Sequence, residues 1–570
     1  MYRFKIKNLN INAIDGMLKL KPKKINVIIG PNNSGKSRML KELRDFLSGD
    51  MRDIKMIETI DYDYPPDLTT LDENYDIKNR MTKDFYGNWI LRTYSNKSDQ
   101  LWDLNATFEN YFTRNLNSIG GNWSAFFEDI IKKKEENQFF QYLGSLFFQY
   151  LGTEERLTIC KMQKNYGLDS NNTNYLTSFK FEEKLLNELA DNVKRIFKKD
   201  IVLDNQTLGD RLVFRVGKNF DYLTGILGND SGEIRNLFNE DMLDNQGDGL
   251  KSYVSTFLSL KAKGNDVLLI DEPEAFLHPP LARQIGELIG EFKDEKQVFI
   301  STHSVEVLKG ILSKSSDVNV IRITQPETYK NKINVLDKDV LQNIMQSPLL
   351  RVSRILEGLF CEKVVITEAE ADELIYQELI EKVFPQSGLY FAHGQNKQTL
   401  AEIAELYQKI GINYEVITDF DVLRVNEEFN KFMNMMDLDE DEKQNYRRYI
   451  GELRNQIDRE VVTEGLDEEK KKEVLKKQRD KVYHQMGLEY LSDGDLRENI
   501  KNLLDTMKKN HVHILRTGEL ETLFLPFEVE YTHNKSRWIV NAINKITELK
   551  KENIEAQEIL YDFLVGIIIV

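Results

Sequence analysis

Apolar residues along this chain come in short runs that stop abruptly on polar or charged groups, with stretches of helical period between them. Tyr2 to Leu9 alternates apolar and polar positions, the period of a half-buried strand; Ile25-Asn26-Val27-Ile28-Ile29 then reads as a buried strand halted by Gly30. Comparable runs occupy 266–270, 297–300, 363–366 and 414–417, while 38–43 and 373–380 carry helical spacing. Strands that are apolar at nearly every position are covered on both faces, so the pattern predicts parallel sheets sandwiched by helices, once in each half of the chain.

At 570 residues the chain exceeds a single hydrophobic core, and two or three domains are expected. Its 41% hydrophobic and 30% charged residues with only 11 prolines describe a folded, helix-rich protein and exclude a disordered one. No run approaches the roughly 20 apolar residues of a membrane span, and Met1-Tyr2-Arg3-Phe4-Lys5 opens no signal-peptide core, so a cytoplasmic protein with no membrane partner is expected. Cys160 and Cys361 are far apart and lack a CxxC context, which excludes a zinc ribbon and a disulfide framework. The net charge of −16 excludes a protein that coats nucleic acid through an overall positive field, but not a local site where metal ions neutralise acids for an approaching phosphate.

The first run leads into Gly30-Pro31-Asn32-Asn33-Ser34-Gly35-Lys36-Ser37. In this P-loop pattern glycines let backbone N–H groups wrap phosphates, Lys36 reaches the β/γ-phosphates of ATP and the Ser37 hydroxyl binds Mg²⁺. The strand at 266–270 closes on Asp271-Glu272-Pro273-Glu274, a Walker B pattern in which Asp271 holds Mg²⁺ and Glu272 polarises the attacking water. The next strand ends in Ser301-Thr302-His303-Ser304 and places His303 to sense the γ-phosphate. Upstream, Asn245-Gln246-Gly247-Asp248-Gly249 opens a helix whose free N–H groups suit a phosphate.

In the second half, Lys363–Thr367 ends on Glu368, with Asp372 one helical turn later, and Tyr414–Thr418 ends on Asp419-Phe420-Asp421, whose alternate residues face one way. A third acidic segment, Gly518-Glu519-Leu520-Glu521, follows His513–Thr517. Hard carboxylate oxygens in such numbers suit divalent cations, and for phosphodiester hydrolysis they can hold two Mg²⁺ ions about 4 Å apart. Lys535 is the candidate to stabilise transition-state charge, with Arg537 competing for that role.

These motifs carry a resemblance. The P-loop, the degenerate signature at 245–249, Asp-Glu-Pro-Glu and Ser-Thr-His-Ser are similar to ABC ATPases of the RecF, SMC and OLD kind. Glu368 with Asp419 and Asp421 resembles the Toprim domain of topoisomerases, primases and OLD nucleases, and Gly-Glu-Leu-Glu resembles a segment near the end of OLD nucleases. Asn245 stands where the ABC signature usually has serine, and Ala369 where Toprim usually has glycine. The resemblance implies an α/β architecture: a RecF/SMC-like ABC ATPase over 1–345 with a helical dimerisation insertion at about 50–200, then a Rossmann-like Toprim domain over 346–570. It also implies ATP and Mg²⁺ as cofactors, with Mn²⁺ or Ca²⁺ as further candidates at the Toprim site. In such ATPases the signature residues Asn245, Gly247 and Gly249 of one protomer complete the nucleotide site of another, so a homodimer or higher homo-oligomer is expected. The implied activity is ATP-regulated, metal-dependent DNA cleavage in anti-phage defence, alone or with a helicase or a reverse transcriptase and its retron DNA. The alternative is an ATP-driven sensor or scaffold whose Toprim domain binds a partner or DNA without cutting.

Two stretches lie outside these motifs. The repeated Phe-Phe-Gln-Tyr-Leu-Gly at 139–144 and 147–152 is expected to be helix core rather than a base-stacking platform. The charge-dense insertion at about 425–510 is expected to form an exposed helical hairpin, and the apolar residues 563–570 to be buried.

Overall fold

The computed structural model describes residues 2–83, 89–91, 122–165, 175–220, 231–262, 265–292, 295–327, 330–336, 354–460, 468–529 and 535–569. The chain divides into two compact units, Met1–Leu336 and Asp337–Val570. The junction expected at 345/346 lies outside the described residues.

The first unit opens with β1 (Ile6–Ala13), β2 (Gly16–Leu20) and β3 (Ile25–Ile29), followed by α1 (Lys36–Leu47) and β4 (Ile57–Tyr62). Strand β1 pairs antiparallel with both β2 and β4. There follow α2 (Trp123–Lys133), α3 (Glu136–Leu143), β5 (Phe148–Leu151), α4 (Thr153–Thr158) and α5 (Asp248–Lys261). The unit closes with β6 (Val267–Asp271), α6 (Pro279–Glu291), β7 (Gln297–Ser301), α7 (Val305–Lys314), β8 (Val318–Glu327) and β9 (Lys330–Leu336).

Among the described residues, six of these strands form the main sheet in the order β9-β8-β3-β7-β6-β5, parallel throughout except where β9 returns beside β8. The central strands β3 and β7 are buried at every position, which is why they read as continuous apolar runs. Because the strands run parallel, the loops after β3, β6 and β7 emerge at one edge of the sheet and bring the three sequence motifs together there.

The span from about 50 to 200 is not an all-helical insertion, although residues 84–88, 92–121 and 166–174 of it lie outside the described ones. It supplies β4 to one sheet and β5 to the edge of the main sheet. Phe126, Phe127, Phe139, Phe140 and Phe147 are buried in one cluster with Phe4, whose ring stacks on Phe147 at 4.8 Å. The aromatic stretch is therefore core.

The second unit runs β10 (Lys363–Thr367), α8 (Glu370–Val383), β11 (Tyr390–His393), α9 (Lys397–Lys409) and β12 (Asn413–Thr418). Helices α10 (Asn426–Met435), α11 (Glu440–Arg459), α12 (Glu468–Lys481) and α13 (Asp495–Lys509) come next, then β13 (Val512–Ile514), α14 (Lys535–Glu548) and α15 (Glu558–Ile569). The four strands form a parallel sheet in the order β11-β10-β12-β13. Its core joins Ile375 and Leu379 of α8 to Trp538 and Ala542 of α14 and to Leu564 and Ile567 of the apolar C-terminal stretch.

The insertion at 425–510 differs from the expected exposed hairpin. Phe429, Phe432, Met433, Ile450, Leu453, Ile457, Val482 and Tyr483 are buried, so α10, α11 and the segment after α12 contribute to packing. The charge-rich composition hides apolar positions spaced at about one helical turn, such as Ile450, Leu453 and Ile457. Among the described residues, no helix is long and apolar enough to cross a membrane.

Candidate nucleotide and metal sites

In the first unit, the loop between β3 and α1 is shaped by backbone that ordinary residues avoid. Gly30 and Gly35 have φ of 144° and 97°, and a Cβ on Gly30 would lie 2.0 Å from the Ile323 carbonyl oxygen. Asn331 Nδ2 donates to the Ser34 carbonyl at 2.7 Å and pins the loop from β9. Asn32 and Asn33 are exposed, whereas Ser34 and Lys36 are buried. Lys36 Nζ donates to the carbonyls of Gly30 (2.9 Å) and Pro31 (2.6 Å), and burial lowers its pKa to about 8 against the pull of Glu272, Glu274 and Asp271. Ser37 sits beside it at the start of α1.

At the end of β6, Asp271 is held by the Ser301 hydroxyl of β7 and by Tyr150 Oη at 3.1 Å from β5. Glu272 has a φ of 50° and is paired to His303 Nε2 at 3.2 Å. Burial lowers the His303 pKa, and the Lys36 charge adds to the effect. Glu274 accepts from the backbone N–H of His303 (2.7 Å) and from Thr302 Oγ1 (2.9 Å), locking the β6 and β7 loops together. The P-loop lysine, Walker B acids and His303 thus share one edge of the sheet. Asn245 lies in a short 3-10 turn before α5, Gly247 caps that helix, and Gly249 lies in its first turn with the Phe276 carbonyl 3.1 Å from where a Cβ would stand.

Arg156 escaped the sequence reading. It is fully buried and donates to the main-chain carbonyls of Asp271 (2.5 Å), Glu272 (2.6 Å) and Leu151 (3.1 Å) and to Ser252 Oγ of α5 (3.2 Å). One guanidinium therefore joins the Walker B turn to the helix that the signature segment opens.

In the second unit, Glu368, Asp419 and Asp421 each offer a carboxylate oxygen, and the three oxygens lie within 4.8 Å of one another. Parallel pairing of β10 with β12 brings the strand ends together. Glu368 Oε1 accepts from Thr418 Oγ1 (2.7 Å) and from the Asp419 N–H (3.1 Å), which fixes its orientation. Burial raises Glu368 and Asp419 above the usual carboxylate range, and their mutual repulsion adds to it for Asp419. An all-oxygen, all-carboxylate donor set of this size fits a hard divalent cation.

Asp372 is not part of that trio. Its Oδ2 accepts the Ala369 N–H at 3.1 Å, closing the first turn of α8, and burial raises its pKa. Lys535, the first residue of α14, feels the charge of Asp372, and its pKa is raised because Asp372, Glu521, Asp419 and Glu519 outweigh its desolvation. Glu521 is buried, and its carboxyl is raised by that burial and by Glu519. Burial also pushes Glu519 upward, but its bond to His484 more than offsets this and leaves its pKa below the ordinary value.

Two basic residues of this site were missed in the sequence. Lys397, at the start of α9, is ion-paired to Asp421 and lies 3.6 Å from Glu368 Oε2. His484, from the insertion, contacts Glu519 and lies 3.9 Å from Asp421 Oδ2. Neither belongs to a motif; Asn396 before a helical run, an N-cap signal, was the one hint that Lys397 opens a helix.

The sequence matches two family models: an AAA domain of the AbiEii toxin, Type IV TA system kind over residues 130–309, and the TOPRIM domain of overcoming lysogenization defect protein-like proteins over residues 359–421. Among curated proteins it is similar to the Old nuclease of Escherichia phage P2, 27% identical over 173 residues that cover 28% of each chain. It is also similar to the endonuclease GajA of Bacillus cereus strain VD045, 22% identical over 303 residues that cover 48% of this chain and 49% of that protein. The matches thus span half or less of each relative. Among solved structures, the Smc head bound to the C-winged helix domain of ScpA is 14% identical, with 60% of this chain and 99% of that one covered at a TM-score of 0.32. The SMC head domain of Thermotoga maritima gives 14% identity and a TM-score of 0.28 over 59% of this chain and all of that one. An ATPase domain and a Toprim domain together imply use of a nucleotide and a divalent metal. With a match to an AAA domain followed by a match to an OLD-like TOPRIM domain, the chain is similar to OLD-type ATPase–Toprim proteins.

Proposed function

We propose that this chain is an ATP-regulated, divalent-metal-dependent DNA endonuclease of anti-phage defence, acting in the cytoplasm. The observation that carries the reading is the convergence of Glu368, Asp419 and Asp421 oxygens within 4.8 Å at the strand ends of a parallel sheet. Similarity to two nucleases supports DNA as the substrate.

In the ATPase unit the P-loop backbone from Gly30 to Ser37 would cradle the phosphates, and Lys36, now on its own loop carbonyls, would reach the β/γ-phosphates. Ser37 and Asp271 would hold Mg²⁺. Glu272 orients the attacking water, and His303, already paired to Glu272, reports the γ-phosphate. The signature segment at Asn245, Gly247 and Gly249 serves a second protomer, so the working form is a homodimer or larger.

In the Toprim unit Glu368, Asp419 and Asp421 would hold Mg²⁺, or Mn²⁺ in its place. When bound, the cation polarises the scissile phosphate and lowers the pKa of water. Thr418 and the Asp419 N–H keep the Glu368 carboxylate aimed. Lys535, whose charge is held by the field of Asp372, Glu521, Asp419 and Glu519, would supply a positive charge for the developing negative charge on the phosphate. A helicase, or a reverse transcriptase with its DNA, is the partner class to seek.

The test is plasmid cleavage with Mg²⁺ or Mn²⁺. Wild-type protein is expected to nick or cut DNA, EDTA to abolish the reaction, and Asp421→Asn to slow it on the order of a hundredfold or more. DNA left intact under every metal and nucleotide condition, with ATP still hydrolysed, would give the sensor or scaffold reading the lead.

A further inference from the structure

We propose that Lys397 is a resident counter-ion of the Toprim carboxylates, a tethered ammonium that competes with the divalent cation and so sets the concentration at which the site fills. The inference rests on the metal-site reading above.

Its basis is where the lysine stands. Glu368 and Asp421 keep only 13% and 11% of their side-chain surface exposed, and Lys397 lies against oxygens of both. Asp421 is flanked on its two sides: Oδ1 pairs with Lys397, and Oδ2 lies 3.9 Å from His484 Nδ1. The ammonium therefore occupies part of the shell of oxygens that a cation bound to this trio must share.

Lys397 is also firmly placed. The Gly394 N–H donates to the Thr367 carbonyl at 2.9 Å, tying the start of this loop to the end of β10, next to Glu368. Asn396 Oδ1 accepts the Thr399 N–H at 3.1 Å and caps α9, and the Thr399 hydroxyl returns to the Gly394 carbonyl. A lysine on this anchored turn does not diffuse away, so it confronts every entering ion at a high effective concentration.

Crowded carboxylates with little solvent repel one another, and one positive charge relieves that repulsion. Removing the ammonium makes the cluster one unit more negative at contact distance, and a doubly charged ion gains most from this change. The lysine is thus expected to weaken divalent binding while keeping the carboxylates together before the ion arrives. If it were instead needed to hold the site in a metal-binding shape, its loss would weaken binding; the two roles have opposite signs.

The experiment is titration of the full-length, nucleotide-free protein with Mn²⁺, reading free Mn²⁺ by electron paramagnetic resonance. Wild type, Lys397→Met and Lys397→Arg are compared, with Asp419→Ala as the blank for binding elsewhere. The expected result is Asp419-dependent binding that is at least about tenfold tighter in Lys397→Met and within about threefold of wild type in Lys397→Arg. Circular dichroism establishes that each variant is folded, and Lys397→Gln replaces Lys397→Met if that variant is not. Equal or weaker Mn²⁺ binding in the neutral variant, or equal tightening in Lys397→Arg, overturns the proposal alone. Absence of Asp419-dependent binding in every protein overturns the metal-site reading and this proposal with it.

Discussion

Single residues decide both chemistries because buried charges here are paired through specific atoms. Arg156 satisfies the consecutive Asp271 and Glu272 carbonyls of the Walker B turn, and Glu415 does comparable work at the opposite end of the Toprim sheet. The Glu415 carboxylate, almost without exposure, bonds His513 Nε2 at 2.8 Å, His511 Nδ1 at 3.1 Å and Lys363 Nζ at 3.1 Å. Lys363 also donates to the carbonyls of Ile567 (2.9 Å) and Ile568 (3.4 Å), so the cluster clamps the end of α15. Burial works to raise the Glu415 pKa, yet the histidine bonds and the lysine bring it down to about 2. A carboxyl depressed in the fold stabilises it above the unfolded pKa of about 4.3, and that contribution disappears as pH falls toward 2. Burial lowers His513 as well, so acid acts in the same direction on both. Wild-type stability, followed by chemical denaturation between pH 7 and 3, is expected to decline toward acid. Glu415→Gln should be less stable by about 3 kcal/mol at pH 7 and show a shallower decline. A variant as stable as wild type with the same pH profile would refute the clamp.

Elements show where the sequence speaks and where it is silent. P-loop, Walker B and Asp-x-Asp residues were legible because each sits at the end of a strand and beside its neighbours in sequence, so motif and geometry coincide. The hexapeptide Phe-Phe-Gln-Tyr-Leu-Gly shows the limit. Its first copy ends helix α3 and its second forms β5, although their local propensities are identical. Tertiary context decides: Gly144 packs so closely on the Leu47 carbonyl that a Cβ would lie 1.9 Å from it, whereas Gln149 of the second copy pairs along β6 and accepts from Asn265 Nδ2 at 2.7 Å.

The insertion was silent for a related reason. His484 reaches Glu519 because a π-helical turn, Val482–Met486, packs against the Gly518 loop. Gly518 has a φ of 118°, and a Cβ there would stand 2.5 Å from the His484 carbonyl; Phe420 donates to the Gly518 carbonyl at 2.9 Å between the two aspartates. Both partners in this contact are backbone, with little freedom to give way. Gly518→Ala is expected to destabilise the Toprim unit by about 2 kcal/mol or more and to lower cleavage while ATP hydrolysis persists. Thermal unfolding alongside both assays checks this; an alanine variant with unaltered melting and cleavage would show that the contact is not needed.

At the scale of the whole molecule, two parallel sheets each gather separate strand ends into one edge, one assembling P-loop, Walker B and His303, the other the Toprim acids. The parallel connectivity explains why motifs hundreds of residues apart in sequence were readable as sites. It also explains what was missed, since Arg156, Lys397 and His484 arrive from helices and turns whose approach no strand pattern announces. In the proposed function one edge hydrolyses ATP and the other cuts DNA under its control. The most direct test of this proposal measures ATP hydrolysis and cleavage of the same DNA, with Mg²⁺ and with or without ATP, for wild type, Asp419→Ala and Lys36→Ala. Asp419→Ala is expected to hydrolyse ATP at the wild-type rate without cutting, and Lys36→Ala to lose hydrolysis and any cleavage response to ATP. Cutting by Asp419→Ala at the wild-type rate, or an unchanged ATP response in Lys36→Ala, would contradict it.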